Sequence, residues 1–528
     1  MDSLRLRRAV YLVHRWTGVA GCVLMALWFA SGIVMLFVGY PKLTPWERLG
    51  HLPALNAQAC CVPVARALAA SADAAAVGGI VLTTVRARPA YRLHEGDGRY
   101  TVVDAATGHR LAPASPREAV EAARAWLPGA RADYLGTIRE DRWTHSGALD
   151  PHRPLHKVQM RDPDRTLLYV SSATGEVVMD APRAQRLWNY AGAWLHWLYL
   201  FRDRPSDPAW SGIVIALSAA GTVLAATGTL AGLWRWRFRG RYRSGSRSPY
   251  RDGWLRGHHI VGLAFSLATC AWIFSGLMSM NPGGMFDPAG GRPDLAAYRG
   301  GSPARLRPPF EAPQALHALR EQGFGPRELE WRVLAGRPYL LARDGADRTR
   351  LVAARSGGTP LPGYRAACAR VAVATRWPDA RLREAAARLL SAPVAGSRSL
   401  DRYDAYYYGR EPEAMLGARE RRLPVLRVRF ADAGRTWVYL DPYTGDVALS
   451  QDRRQRAGRW LFNFLHSWDL PGMLRAGWAR EAVLVLLSLG GLALSLTGVV
   501  IGYARLRMKL SKARRAAVAQ RLRQSALE

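Results

Sequence analysis

The stretch Trp194-Leu195-His196-Trp197, followed 31 residues after its histidine by Thr227-Gly228, recurs as Phe464-Leu465-His466-Ser467, followed at the same interval by Thr497-Gly498. A shift of 270 residues also lays Arg153-Pro154-Leu155 on Leu423-Pro424-Val425, Thr174-Gly175 on Thr444-Gly445, and Gly232 on Gly502, without a gap. A second shift, of 244, lays His14, Gly18, Trp28 and Ser31-Gly32 on His258, Gly262, Trp272 and Ser275-Gly276. The chain reads as one unit written twice, with histidine retained at both marked positions of each copy.

The 528 residues have a mean hydropathy of only -0.11, an average that hides strongly apolar stretches diluted by polar ones. Four segments, 16–41, 209–234, 260–286 and 482–504, contain no Asp, Glu, Lys or Arg. Each is long enough to cross about 30 Å of hydrocarbon as a helix. The short flanks 1–15, 235–257 and 505–528 together hold +17 of the formal +33, which places them in the cytoplasm by the positive-inside rule. Much of the basicity is thus a topology signal, and no nucleic-acid partner is expected. The first span lacks a small-residue cleavage site and reads as an anchor that stays.

Each unit contains two spans, so the second starts on the same side as the first and the repeats are parallel. The expected order is an N-terminus and first span at 1–41, an outer domain at 42–186, a histidine segment at 187–208 and a second span at 209–234. A basic loop at 235–257, a third span at 258–286, an outer domain at 287–456, a histidine segment at 457–481, a fourth span at 482–504 and a basic tail at 505–528 complete it. The outer segments read as small α+β domains. Ser115-Pro116 starts a helix to about 127, and 100–104, 167–170 and 436–440 read as strands, each leading into a Thr-Gly turn. Of five cysteines, Cys22 and Cys270 lie in spans, and no CxxC or CxxCH occurs, so neither c-type haem nor structural zinc is expected. Cys60 has Cys61 or Cys368 as a partner for a cross-link in an oxidising compartment, against a plain small apolar role.

The strand plus Asp441-Pro442-Tyr443-Thr444-Gly445-Asp446 turn, Asp141-Arg142-Trp143 with its partner Asp401-Arg402-Tyr403, Arg153-Pro154-Leu155 and the histidine-bearing spans resemble the PepSY-associated transmembrane-helix family, from His14 to about Arg507. The resemblance implies a bacterial inner-membrane protein: a four-helix bundle of two parallel repeats, each carrying a PepSY-like α+β domain in the periplasm. The family includes haem-containing ferric-siderophore reductases.

Histidine at membrane depth is costly and marks function. The repeat brings His14 level with His258 at the inner side, and His196 level with His466 at the outer side. Each pair meets the requirement of a haem iron for two axial imidazoles, and two b-type haems are expected. His259, beside His258, is an alternative inner ligand. The glycines at corresponding positions suit a flat macrocycle between helices as well as close helix packing. His145, His152 and His156 near Asp150 lack counterparts in the second copy and read better as surface loop than as a metal site. Tyr406-Tyr407-Tyr408 with Arg410 stand in an insertion, either as loop aromatics or as substrate contacts.

No nucleotide, flavin or hydrolase motif is present, so electrons come from another donor. The expected function is transfer from a cytoplasmic or membrane donor, through the two haems, to a ferric chelate such as a siderophore outside. The competing class is a non-enzymatic PepSY binding or regulatory membrane protein, or an accessory of iron-uptake transport.

Overall fold

The computed structural model describes residues 3–202, 207–354, 371–411, 417 and 420–525. It forms two compact units, one made of residues 1–39, 188–287 and 457–528, the other of 40–187 and 288–456. Cys368 lies outside the described residues.

The first unit is built on four helices: α1 (Ser3–Phe37), α2 (Pro208–Arg235), α3 (Gly253–Ser279) and α4 (Trp478–Ser525). Asp207 and Asp252 start α2 and α3 by accepting hydrogen bonds from the first free backbone N–H groups. All four are long and apolar enough to cross a membrane. They pack in a ring, α1 on α2, α2 on α3, α3 on α4 and α4 on α1, which leaves α1 diagonal to α3. Trp28, Phe29, Trp272 and Leu484 fill the centre. Phe29 lies so close to Gly491, and Phe265 to Gly490, that a Cβ on either glycine would stand 2.2–2.3 Å from the ring. Small residues therefore set how near α4 comes to α1 and α3.

The second unit is β-rich. Its strands are β1 (Gly79–Val85), β2 (Arg88–His94), β3 (Tyr100–Asp104), β4 (Ala132–Ile138), β5 (Leu155–Met160), β6 (Leu167–Ser171), β7 (Val177–Ala181), β8 (Glu328–Leu334), β9 (Arg337–Arg343), β10 (Thr349–Ala354), β11 (Val371–Ala374), β12 (Val394–Leu400), β13 (Val425–Phe430), β14 (Trp437–Leu440) and β15 (Val447–Gln451). β4 to β7 and β12 to β15 each form a four-stranded antiparallel sheet. The helix Pro116–Trp126 buries Ala119 and Ala123 against the first, and the helix Asp379–Ala386 buries Leu382 and Ala385 against the second. Ser115 and Glu118 close a capping box at the start of the former, where Ser115-Pro116 marks it in the sequence.

The third sheet departs from the expectation of an independent domain in each outer segment. β1 pairs antiparallel with β8, joining strands from both segments in the order β11-β10-β9-β8-β1-β2-β3. Ile80, Leu82, Trp331 and Leu329 are buried, so both central strands have a face to hide, and pairing satisfies the edge that each would otherwise expose. Because they share a sheet, the two segments lie on one side of whatever α2 and α3 cross.

Where β2 and the start of β8 meet the β6–β7 turn, Arg48 and Arg92 interleave with Glu176 and Glu328. Arg48 holds Glu328 at 2.8 Å and Arg92 holds Glu176 at 2.7 Å. Burial alone would raise the Glu328 carboxyl, but the two guanidiniums outweigh it and hold it down at about 2. Beside them His152, packed on Tyr100 and bonded to Ser171, is pushed down to about 4 by burial, with Arg92 and Arg48 adding to the shift against Glu176. Cys60 and Cys61 are bonded to each other rather than serving as separate apolar residues.

Candidate functional site

His14 projects from α1 and His258 from the first turns of α3, and their ring centres stand 6.3 Å apart. His196 and His466 lie on short helical segments just before α2 and α4, and their ring centres are also 6.3 Å apart. All four come together in the pairs expected from the repeat.

Each segment carrying an outer histidine is built in the same irregular way. A π-helical turn, Tyr190–Trp194 or Arg459–Phe464, precedes the histidine, and a left-handed residue, Leu198 (φ 54°) or Trp468 (φ 48°), follows two places later. Bulky residues rarely adopt that conformation, and it ends the helical turn abruptly. The turn is clamped at corresponding points: Trp210 Nε1 donates to Trp197 O at 2.7 Å, and the Arg480 guanidinium donates to Ser467 O and Trp468 O. Trp28 Nε1 also donates to His196 O at 2.9 Å, tying that histidine's backbone to α1.

Hydrogen-bond logic assigns the imidazole tautomers. Ser31 Oγ lies 3.0 Å from His196 Nδ1, and Ser275 Oγ lies 3.0 Å from His466 Nδ1. Both hydroxyls spend their proton on their own helix, Ser31 on Leu27 O and Ser275 on Trp272 O, so both accept from the imidazole. Thr497 Oγ1 donates to Leu494 O and likewise accepts from His258 Nδ1 at 2.9 Å. His14 Nδ1 has the carbonyl of Leu224 as acceptor at 3.2 Å. Each of the four therefore carries its proton on Nδ1, leaving Nε2 with a free lone pair. Metal-binding histidines are oriented by this same kind of outer partner.

The glycines that recur in the sequence stand beside these rings. A Cβ on Gly32 or Gly498 would lie 3.6 Å from Cε1 of His196 or His258, one on Gly276 3.9 Å from that of His466, and one on Gly228 only 2.6 Å from that of His14. His259 joins neither pair. Its Nε2 donates to Gly232 O of α2 at 2.9 Å and its Nδ1 meets Ser248 Oγ of the 236–252 loop at 2.8 Å, so both nitrogens already have partners. Of the two, His258 is the one whose ring stands opposite His14.

Other residues singled out in the sequence have structural work. His156 bonds Tyr134 and Ala114 O, His152 bonds Ser171, and His145 pairs with Glu140, so the three do not converge. Tyr407 is fully buried and stacked on Tyr439, and Tyr406 packs edge-on against Trp437. What the sequence reading missed is the outer partner of each imidazole. Ser31, Ser275 and Thr497 all stood next to repeated glycines, but their hydrogen bonds reach between helices.

Four membrane-length helices, antiparallel sheets and facing histidine pairs at two levels define a multi-pass membrane protein with substantial extramembrane β structure. The family model of the PepSY-associated TM region matches residues 11–505, nearly the whole chain, which belongs to that family. No curated protein matches it.

Proposed function

We propose that the protein is a di-haem electron-transfer protein of the bacterial inner membrane that reduces ferric chelates on the periplasmic side. The observation that carries this reading is the spacing of the histidine rings. A metal ion held between two imidazoles by bonds of about 2.0–2.1 Å would set their ring centres about 6 Å apart. Both pairs measure 6.3 Å. Among the described residues no cluster of three or more His, Cys, Asp or Glu side chains could hold an ion by itself. The two imidazoles of each pair would hold a haem iron between them, and the glycines beside each ring would leave room for the macrocycle.

His14 with His258, and His196 with His466, would each hold a haem, which when bound would supply one-electron exchange. The protein's own part is to hold and orient. Ser31, Ser275, Thr497 and the Leu224 carbonyl fix the tautomer and raise the donor strength of each Nε2. Ser31 stands 17 residues beyond His14 on α1, and Ser275 17 beyond His258 on α3. The two levels are thus roughly 25 Å apart along the bundle. Trp28, Phe29 and Trp272 fill the space between and exclude water.

The two halves of the chain, each with two spans and one outer segment, are read as parallel repeats. β1 of the first half pairs with β8 of the second in the shared sheet. The Cys60–Cys61 bond fits an oxidising compartment, and the basic ends of the helices fit the cytoplasm. A ferric chelate as acceptor rests on the family resemblance and on chemistry: hard oxygen ligands that hold ferric iron loosen when it becomes ferrous.

Purified protein should show the reducible bands of six-coordinate b-type haem at two per chain. His196→Ala and His258→Ala should each remove one. Reduced protein mixed anaerobically with a ferric trihydroxamate should be reoxidised as a ferrous trap colours. Absence of haem after expression with ample haem would refute the reading; haem without reoxidation would refute the acceptor alone.

A further inference from the structure

At the end of the bundle where α1 and α3 begin, α2 ends and α4 runs on, the surface is almost purely cationic. Every arginine from 237 to 256 is exposed, and Asp252 is the only acid among the described residues of 3–15, 236–256 and 505–517. The loop between α2 and α3 is folded. Arg237 N–H donates to Arg247 O and Tyr242 N–H to Ser246 O, the Arg237 guanidinium lies 4.1 Å from the centre of the Tyr242 ring, and Tyr242 Oη donates to Arg235 O. Its far end is fastened by Ser248 to His259, the neighbour of His258. Arg239, Arg241 and Arg243 are thus presented on an ordered surface attached to the inner histidine pair.

A topology signal needs no folded loop, and lipid headgroups explain only charges close to the bilayer. The attraction of anionic lipid fades within a Debye length, about 8 Å at physiological salt. α4 continues unbroken past the apolar segment that ends at Ala504, and exposed Lys512, Arg514 and Arg515 lie 8–11 residues farther on. That is about 12–16 Å along the helix axis, outside the headgroup layer of about 5–8 Å when the helix projects from its span. Exposed Phe238 and Trp254, 65% and 55% accessible, add the aromatic anchors common at protein interfaces.

We propose that this face docks an acidic, soluble one-electron carrier protein, which delivers electrons to the site of His14 and His258. In each transfer the carrier is oxidised by one electron and the inner site reduced by one; no bond or proton changes hands on the protein. The electron path rests on the haem reading above, whereas the docking does not.

The test uses the full chain in nanodiscs of zwitterionic phosphatidylcholine, with reduced flavodoxin as the acidic carrier, dithionite as an unspecific reductant and decylubiquinol as a lipid-soluble one. Dithionite bleaching reports the haem and so tests the earlier reading separately. Binding of flavodoxin, followed by its own fluorescence, is measured whether or not haem is present. Binding and reduction rate should both fall about tenfold or more between about 50 and 300 mM salt. They should fall similarly in Lys512→Gln/Arg514→Gln/Arg515→Gln and, independently, in Arg239→Gln/Arg241→Gln/Arg243→Gln, while dithionite reduction is unchanged. Failure of flavodoxin to bind at low salt would overturn the inference. So would variants that lose only their affinity for phosphatidylglycerol vesicles, or equal reduction by decylubiquinol in wild type and both variants with no contribution from flavodoxin.

Discussion

Gly228 and Gly498 occupy corresponding places in the repeat but face unequal constraints. A methyl on Gly228 would lie 2.6 Å from Cε1 and 2.9 Å from Nδ1 of His14, whereas one on Gly498 makes ordinary contacts of 3.4–3.6 Å with Cys22 and His258. Gly228→Ala is therefore expected to displace His14 and leave one haem per chain, and Gly498→Ala to keep both, as read from haem content by the pyridine haemochrome assay. Equal retention in both variants would contradict the packing. Ser275→Ala removes the acceptor of His466 Nδ1–H while sparing the imidazole proposed to hold iron. A less basic imidazole favours ferric iron less, so the outer potential should rise by an amount on the order of tens of millivolts with haem content unchanged. An unmoved potential in a spectroelectrochemical titration would deny Ser275 its orienting role. The histidines themselves were legible because the repeat marks them twice. Their hydroxyl partners were not, since a serine or threonine in an apolar helix looks like any small residue.

Among the elements, the strands at Tyr100–Asp104, Leu167–Ser171 and Trp437–Leu440 and the capped helix Pro116–Trp126 follow local pattern, and sequence reading found them. The pairing of β1 with β8 is a different matter: alternation says that a strand exists, not which of several apolar edges it meets across more than 200 residues. That junction brings Glu328 to Arg48 and Arg92 and buries His152 nearby. Its pH dependence follows in sign. His152, lowered from 6.5 to about 4, is neutral when folded but gains a proton when unfolded, so its contribution is complete above pH 6.5 and is lost as pH falls towards 4. The loss amounts to about 3 kcal/mol. Glu328, lowered from 4.5 to about 2, contributes fully above pH 4.5 and loses that as pH falls towards 2. Hydrogen exchange of the seven-stranded sheet, followed in the full chain, should quicken from pH 6.5 downward after correction for intrinsic rates. His152→Gln should flatten the part between pH 6.5 and 4, and an identical profile in that variant would show that the histidine is not responsible.

For the whole molecule, four spans were readable from charge-free runs alone, with boundaries that moved where helices outlast hydrocarbon. α4 reaches Ser525, and α3 begins at Gly253 inside the basic loop. The sheet that unites the two extramembrane segments bears on how such a chain can be made. When only the first segment has been synthesised, β1 has β2 on one side and lacks β8 on the other. Two hydrophobic helices and the start of the second segment must still be made before β8 arrives. Biogenesis thus contains an interval in which a buried-type strand edge is open to any passing extended chain. A partner that shields this edge, or synthesis fast enough to shorten the wait, is a requirement built into the order of the sequence.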